Sequence, residues 1–137
     1  MLQPKSVKEV QEAVNTASTA ILIRGGGTKT ALSSSSGTET VIDLSNLSGI
    51  VEYRPEEFTF TALAGTPLVN IIEMLAENGQ WMPFDPPMAK IGSTIGGTLA
   101  TGLSGPGRYR FGGARDFILG IKWVSGNGEM LSGGARV

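Results

Sequence analysis

Residues Ile23–Leu32 set three consecutive glycines between a short apolar run and the triplet Thr28-Lys29-Thr30. Glycines leave backbone N–H groups unshielded, and successive N–H groups in a turn form a concave nest for an anion, to which these three side chains can add donors. Two nucleotide-binding patterns fail here. A P-loop needs a glycine directly before its lysine, and Thr28 stands there. A dinucleotide fingerprint fits at Gly25 and Gly27, with Asp43 at a spacing suited to a ribose, but Thr30 occupies its third glycine position. The residues that follow, with four serines, have no helical periodicity, so no helix dipole receives a pyrophosphate. Taken alone, the loop fits a tight strand-end turn equally well.

A second segment changes that balance. Eight of the twenty glycines lie between Gly92 and Gly113, a density that means either disorder or close backbone approach. Ile91, Ile95, Leu99 and Leu103 are interleaved at packing distances, so an ordered loop and short helix are expected. Pro83, Pro86 and Pro87 stiffen the approach to Gly92-Ser93-Thr94-Ile95-Gly96-Gly97, and Thr98–Leu103 reads as the helix. Two glycine loops, each after a well-formed element, can hold an extended diphosphate between them. Their charge-poor lining suits a buried cofactor met by neutral N–H and hydroxyl donors.

The composition excludes other chemistry. The chain has 137 residues, 40% of them hydrophobic, enough for one ordinary core or two small lobes. Its net charge is −1, with no basic stripe, so nucleic acid is not an expected partner. Cysteine and histidine are absent, which removes disulfides, iron–sulfur ligation, the commonest zinc ligands and any histidine-based nucleophile triad. The charged N-terminus does not read as a signal peptide and no stretch reads as a membrane span, so a soluble, cytoplasmic protein without direct membrane insertion is expected.

The elements that must position the loops follow from pattern. Ser6 and Glu9 fit a capping box, with Glu9 reaching back to the cap residue, and Val7, Val10, Val14 and Ala17 share a helical face. Strands are expected at Thr19–Arg24, Thr40–Leu44, Gly49–Arg54 and Phe58–Gly65. Thr66 reads as an N-cap with Pro67 as the first helical residue; Leu68, Ile71, Ile72, Leu75 and Ala76 form the apolar face, and Asn78-Gly79 ends the helix. Phe117–Leu131 reads as a hairpin turning at Gly126-Asn127-Gly128. The order is α+β, without doubly wound alternation.

The stretches "RGGGTKTAL" and "STIGGTLATGLSGPGRYRFGGARDFILG" together resemble the FAD-binding domain of the vanillyl-alcohol oxidase/p-cresol methylhydroxylase flavoprotein superfamily. Within it, "GTPLVNIIEMLAENGQWMPFDPP" and "GLSGPGRYRFG" are most similar to the FAD-binding subunits of bacterial glycolate oxidases. The resemblance implies the N-terminal part of a two-lobed α+β domain, with 1–57 a first lobe and 58–137 the start of a second. It implies an FAD-dependent oxidoreductase component that oxidises a small 2-hydroxy acid, glycolate or D-lactate in type, by hydride transfer to flavin. The alternative is a non-catalytic FAD-binding or subunit-interface module. Partner subunits are implied, an iron–sulfur subunit among them, and any membrane association would come through these.

On this resemblance the first cofactor contact comprises Arg24, Gly25, Gly26, Gly27, Thr28, Lys29, Thr30 and Leu32. The second comprises Pro87, Ile91, Gly92, Ser93, Thr94, Ile95, Gly96 and Gly97, and Ala100, Thr101, Leu103 and Ser104 continue toward the flavin ring. For Leu32 and Ile95, core packing is an equal alternative. With no histidine or cysteine, the FAD is expected to be non-covalent. Valine at Gly26 or Gly96, by blocking phosphate approach and disfavouring positive φ, is expected to impair cofactor binding far more than folding. Arg115-Asp116 reads as a structural ion pair; Arg108, Arg110 and Lys122 read as solvated surface charges. Catalytic residues are expected beyond Val137, in a longer flavoprotein, so the chain alone is not expected to turn over.

Overall fold

A computed structural model describes residues 1–134; the last three residues of the expected second lobe, 135–137, lie outside the described residues. Helix α1 (Val7–Thr16) leads into strand β1 (Ile21–Arg24), and β2 (Thr40–Asp43) pairs with β1 in parallel, Ile21 opposite Thr40 and Arg24 opposite Asp43. The connection between them holds the first glycine loop and one 3-10 turn, Thr30–Leu32, where a dinucleotide fold would place an α-helix. Strands β3 (Ile50–Arg54) and β4 (Thr59–Ala62) form an antiparallel hairpin whose tight turn, 55–58, carries Phe58 in the left-handed region.

Helix α2 (Leu68–Ala76) buries Leu68, Ile71 and Leu75. These meet Met82, Phe84, Ile95 and Ala114 in the main core, with Tyr53, Phe60 and Leu99 packed against it. Helix α3 (Ile95–Thr101) follows the second glycine loop, and the single-turn helix α4 (Arg108–Phe111) follows α3. Strands β5 (Gly120–Val124) and β6 (Met130–Gly134) form the last hairpin. Its turn carries Gly128 at φ 76°, and Gln11 Nε2 donates to Gly128 O at 2.7 Å, docking α1 on the hairpin tip.

Five expectations are corrected. The cap of α2 is Pro67, one residue later than the sequence implied. Thr66 is almost fully buried, and its Oγ1 accepts from Gly49 N–H at 2.9 Å and lies 2.7 Å from Leu63 O; it ties the start of β3 to the end of β4. Helix α3 begins at Ile95, earlier than Thr98, because Thr94 Oγ1 accepts from Gly97 N–H and caps it. Ser6 caps α1 as expected, but the Glu9 carboxylate accepts from Lys5 N–H at 2.8 Å, one residue before the cap. Finally, Phe117 closes a 3-10 turn, Ala114–Phe117, so the last hairpin starts at Gly120. That turn is held by Asp116 Oδ2 accepting from Gly113 N–H at 2.8 Å, and Arg115 makes no ion pair with Asp116.

Candidate cofactor site

The two glycine loops meet. Gly26 lies so close to Gly92 that a Cβ added to it would fall on the Gly92 carbonyl oxygen, and a Cβ on Gly25 would strike Thr94 Oγ1. Lys29 Nζ donates to Ser93 Oγ, a third tie between the loops. Gly27 turns the first loop at φ 67° beneath the Arg24 guanidinium, and Gly92 turns the second at φ 93° with open space beside it.

The donors are distributed unequally. Among the described residues no acceptor takes the N–H of Gly25, Gly26, Gly27, Thr28, Lys29 or Thr30. In the second loop almost every N–H is already bonded: Gly92 to Ala89 O, Ser93 to Met88 O, Ile95 to Thr66 O, Gly96 to Ala64 O and Gly97 to Thr94 Oγ1. Backbone groups without internal partners are satisfied by water or by a ligand. The first loop therefore offers the anion its donors. The second loop is stitched to α2 and to the segment after β4, and supplies a wall that the first can approach because neither has side chains in the way.

Charge follows the same division. Burial acts to raise the Asp43 pKa, but the Ser45 hydrogen bonds, the Arg24 guanidinium and Gln3 outweigh it and hold this carboxylate below its ordinary range. Asp43 Oδ1 accepts from Ser45 N–H at 2.9 Å and so caps a 3-10 turn, which gives it a structural role. Burial lowers the Lys29 ammonium from its ordinary value.

Of the other expected site residues, Ile95 is 8% exposed and belongs to the core, whereas Leu32 and Ile91 are exposed and free to meet a ligand. Pro87 is half-buried and Ala100 exposed on α3. Thr101 Oγ1 turns back to Gly97 O at 2.9 Å. Ser104 Oγ accepts from Ala114 N–H at 3.0 Å and Ser104 O from Arg108 Nη1 at 2.7 Å, so its polar groups serve the fold; Leu103 beside it is half-buried. Sequence reasoning missed Thr98, fully buried with Oγ1 3.5 Å from Ser93 Oγ, whose signal was its place one helical turn after Thr94. It also missed Ala64, against which Gly96 packs.

A glycine loop with six unpaired N–H groups and an ammonium, packed against a second glycine loop, fits the diphosphate of a dinucleotide cofactor. The model of one family, described as FAD binding domain, matches residues 1–134. The chain is 37% identical over 131 residues to glycolate oxidase subunit GlcE of Escherichia coli K12, covering 96% of this chain and 37% of that protein. It is 35% identical to a D-2-hydroxyglutarate dehydrogenase of Xanthomonas citri pv. viticola, covering 93% of this chain and 28% of the relative. An alkyldihydroxyacetonephosphate synthase structure superposes with a TM-score of 0.78 at 24% identity, over 98% of this chain and 26% of the other. A berberine bridge enzyme structure superposes at 0.74 and 24%, over 95% and 27%. The chain thus spans well under half the length of these proteins. Their likeness shows the fold to be of the vanillyl-alcohol oxidase/p-cresol methylhydroxylase type.

Proposed function

The chain belongs to the FAD binding domain family, and from that premise we propose that it is the flavin-holding part of an oxidoreductase acting on a small 2-hydroxy acid of the glycolate or D-lactate type. The two-lobe division, 1–57 and 58–137, is part of this reading. The observation that carries the cofactor assignment is the run of unpaired N–H groups from Gly25 to Thr30 in a loop that packs against the second glycine loop. Support for the substrate class comes from the relatives' own names, which include glycolate oxidase subunits, D-2-hydroxyglutarate dehydrogenases and a D-lactate dehydrogenase.

When bound, FAD would supply the acceptor for a hydride from the substrate's α-carbon. The chain's residues bind and orient. The first-loop N–H groups and Lys29 hold the diphosphate, the Gly92–Gly97 wall confines it, and exposed Leu32 and Ile91 are available to the apolar parts of the cofactor. Misplacing a reacting atom by about 1 Å can cost ~100-fold in rate, so a rigid diphosphate anchor contributes to catalysis from a distance. With no histidine or cysteine in the chain, the flavin is held non-covalently. Partner subunits, including one with iron–sulfur clusters, take the electrons onward in the cytoplasm, and any membrane association is theirs; no helix of the described residues is long and apolar enough to cross a membrane.

The test begins with FAD titrated into the purified chain, followed by acid precipitation. Flavin is expected to bind and then to remain in the supernatant. Flavin retained by the precipitate contradicts non-covalent attachment. A chain extended past Val137, assayed with its partner subunits and a dye acceptor, is expected to oxidise glycolate or D-lactate, and oxidation of neither refutes the substrate assignment.

A further inference from the structure

Two cations flank the first glycine loop, and they differ in what they face. Arg24 is in register with Asp43 across the β1–β2 pair and interacts with that carboxylate. Lys29 faces hydroxyls: Nζ donates to Ser93 Oγ and lies 3.5 Å from Thr28 Oγ1. The ion pairs among the described residues belong to Arg54, with Glu52 and Glu57, and none reaches Lys29. An ammonium that has lost part of its water without gaining an opposite charge is unfavourable until an anion arrives. Its resting place is rigid, because Ser93 is fully buried, its N–H donates to Met88 O and its carbonyl accepts from Leu68 N–H. Beside the ammonium stand the unpaired N–H groups of its own loop.

We propose that Lys29 is a charged latch on the crevice: in the free chain it ties the first loop to the second through Ser93 Oγ, and when a diphosphate enters it turns an N–H from that hydroxyl to a phosphate oxygen. The inference rests on the flavin-binding reading above and assigns Lys29 two alternating partners, whereas a plain strut would keep one. Its charge then sets affinity, and Ser93 competes with the ligand for it.

Calorimetric titration with inorganic pyrophosphate, and separately with FAD, tests this on the 137-residue chain and on Lys29→Gln, Lys29→Met and Ser93→Ala, with folding checked by circular dichroism. Gln keeps a donor for Ser93 while removing the charge, so it serves where Met does not fold. Both Lys29 variants are expected to lose about 10- to 100-fold in affinity for either ligand, the worth of one charge-assisted hydrogen bond. Ser93→Ala is expected to bind as tightly as the parent or more tightly. Folded Lys29 variants that bind pyrophosphate like the parent would reduce Lys29 to a strut and overturn the latch. Ser93→Ala losing as much as Lys29→Gln would make the hydroxyl itself a ligand and overturn it equally. A parent chain that binds neither ligand would remove the flavin-binding reading itself, a result distinct from a parent that binds and variants that match it.

Discussion

Gly26 and Gly96 show how much a single hydrogen in place of a side chain decides. Neither has positive φ, and neither faces only a ligand: a Cβ on Gly26 collides with the Gly92 carbonyl, and one on Gly96 comes within 2.7 Å of both Ala64 Cβ and Ala64 O. The expectation that valine there spares the fold is therefore corrected, because the clash is with backbone that cannot swing away. Gly26→Ala and Gly96→Ala are each expected to lower stability by about 1–3 kcal/mol in urea unfolding, alongside any loss of FAD. An unchanged urea midpoint would contradict the packing. A second residue-scale prediction concerns Glu39, whose carboxyl is held down to about 2 by the Ser36 N–H first, with the Ser36 and Ser35 hydroxyls adding to it. A depressed carboxyl pKa means that its contribution is complete above the ordinary carboxyl range. It is lost progressively as pH falls from that range down through about 2. The amide resonances of Ser36 and Gly37, which donate to Glu39 at 2.7 and 3.0 Å, are expected to titrate with that low midpoint. A midpoint in the ordinary range would mean that the carboxylate does not close the serine loop.

At the scale of elements, the Thr66 hydroxyl shows what local pattern can and cannot reveal. Thr-Pro before an apolar helix reads as a cap and a first turn, yet the buried hydroxyl joins β3 and β4, and Leu68 N–H, at the start of α2, finds Ser93 O instead. Thr66→Val keeps the shape and leaves Gly49 N–H without its partner, so it is expected to cost about 1–3 kcal/mol; a neutral result in thermal unfolding would show that water replaces the bond. The first four strands and α1 were legible because their apolar spacing is local, and their observed bounds fall within the segments read from sequence; β6 instead runs on to Gly134, past the Leu131 at which the hairpin was expected to end. Helix α3 was legible only from Thr98 on, since Gly96-Gly97 has poor helix propensity and the Thr94 cap outweighs it in place. The two loops were legible as glycine runs. Which of them keeps its donors free was not, because that depends on acceptors such as Met88, Ala64 and Thr66, contributed by segments whose approach no local spacing encodes.

For the whole molecule, exposed apolar surface is the feature with consequences for behaviour in solution. On the last hairpin Ile121 and Trp123 share a strand face, with Leu131 opposite Trp123, and the three are 39–45% exposed. Apolar patches of this kind mark surfaces that others cover. The isolated chain is expected to bind the dye ANS several-fold more strongly than a chain extended past Val137; equal fluorescence from both would indicate that the extension leaves the face open. The contact of Gly26 with Gly92 carries a different consequence, in time. The first loop lies in the early part of the chain and its wall in the later part, so during synthesis the N-terminal strands leave the ribosome well before the crevice has a second side. Pairing β1 with β2 cannot create the binding site; only the arrival of the 88–98 segment can. The nascent chain therefore carries its free donors well before it has the wall they pack against, and a ribosome stalled between the two loops would display the first loop without the second.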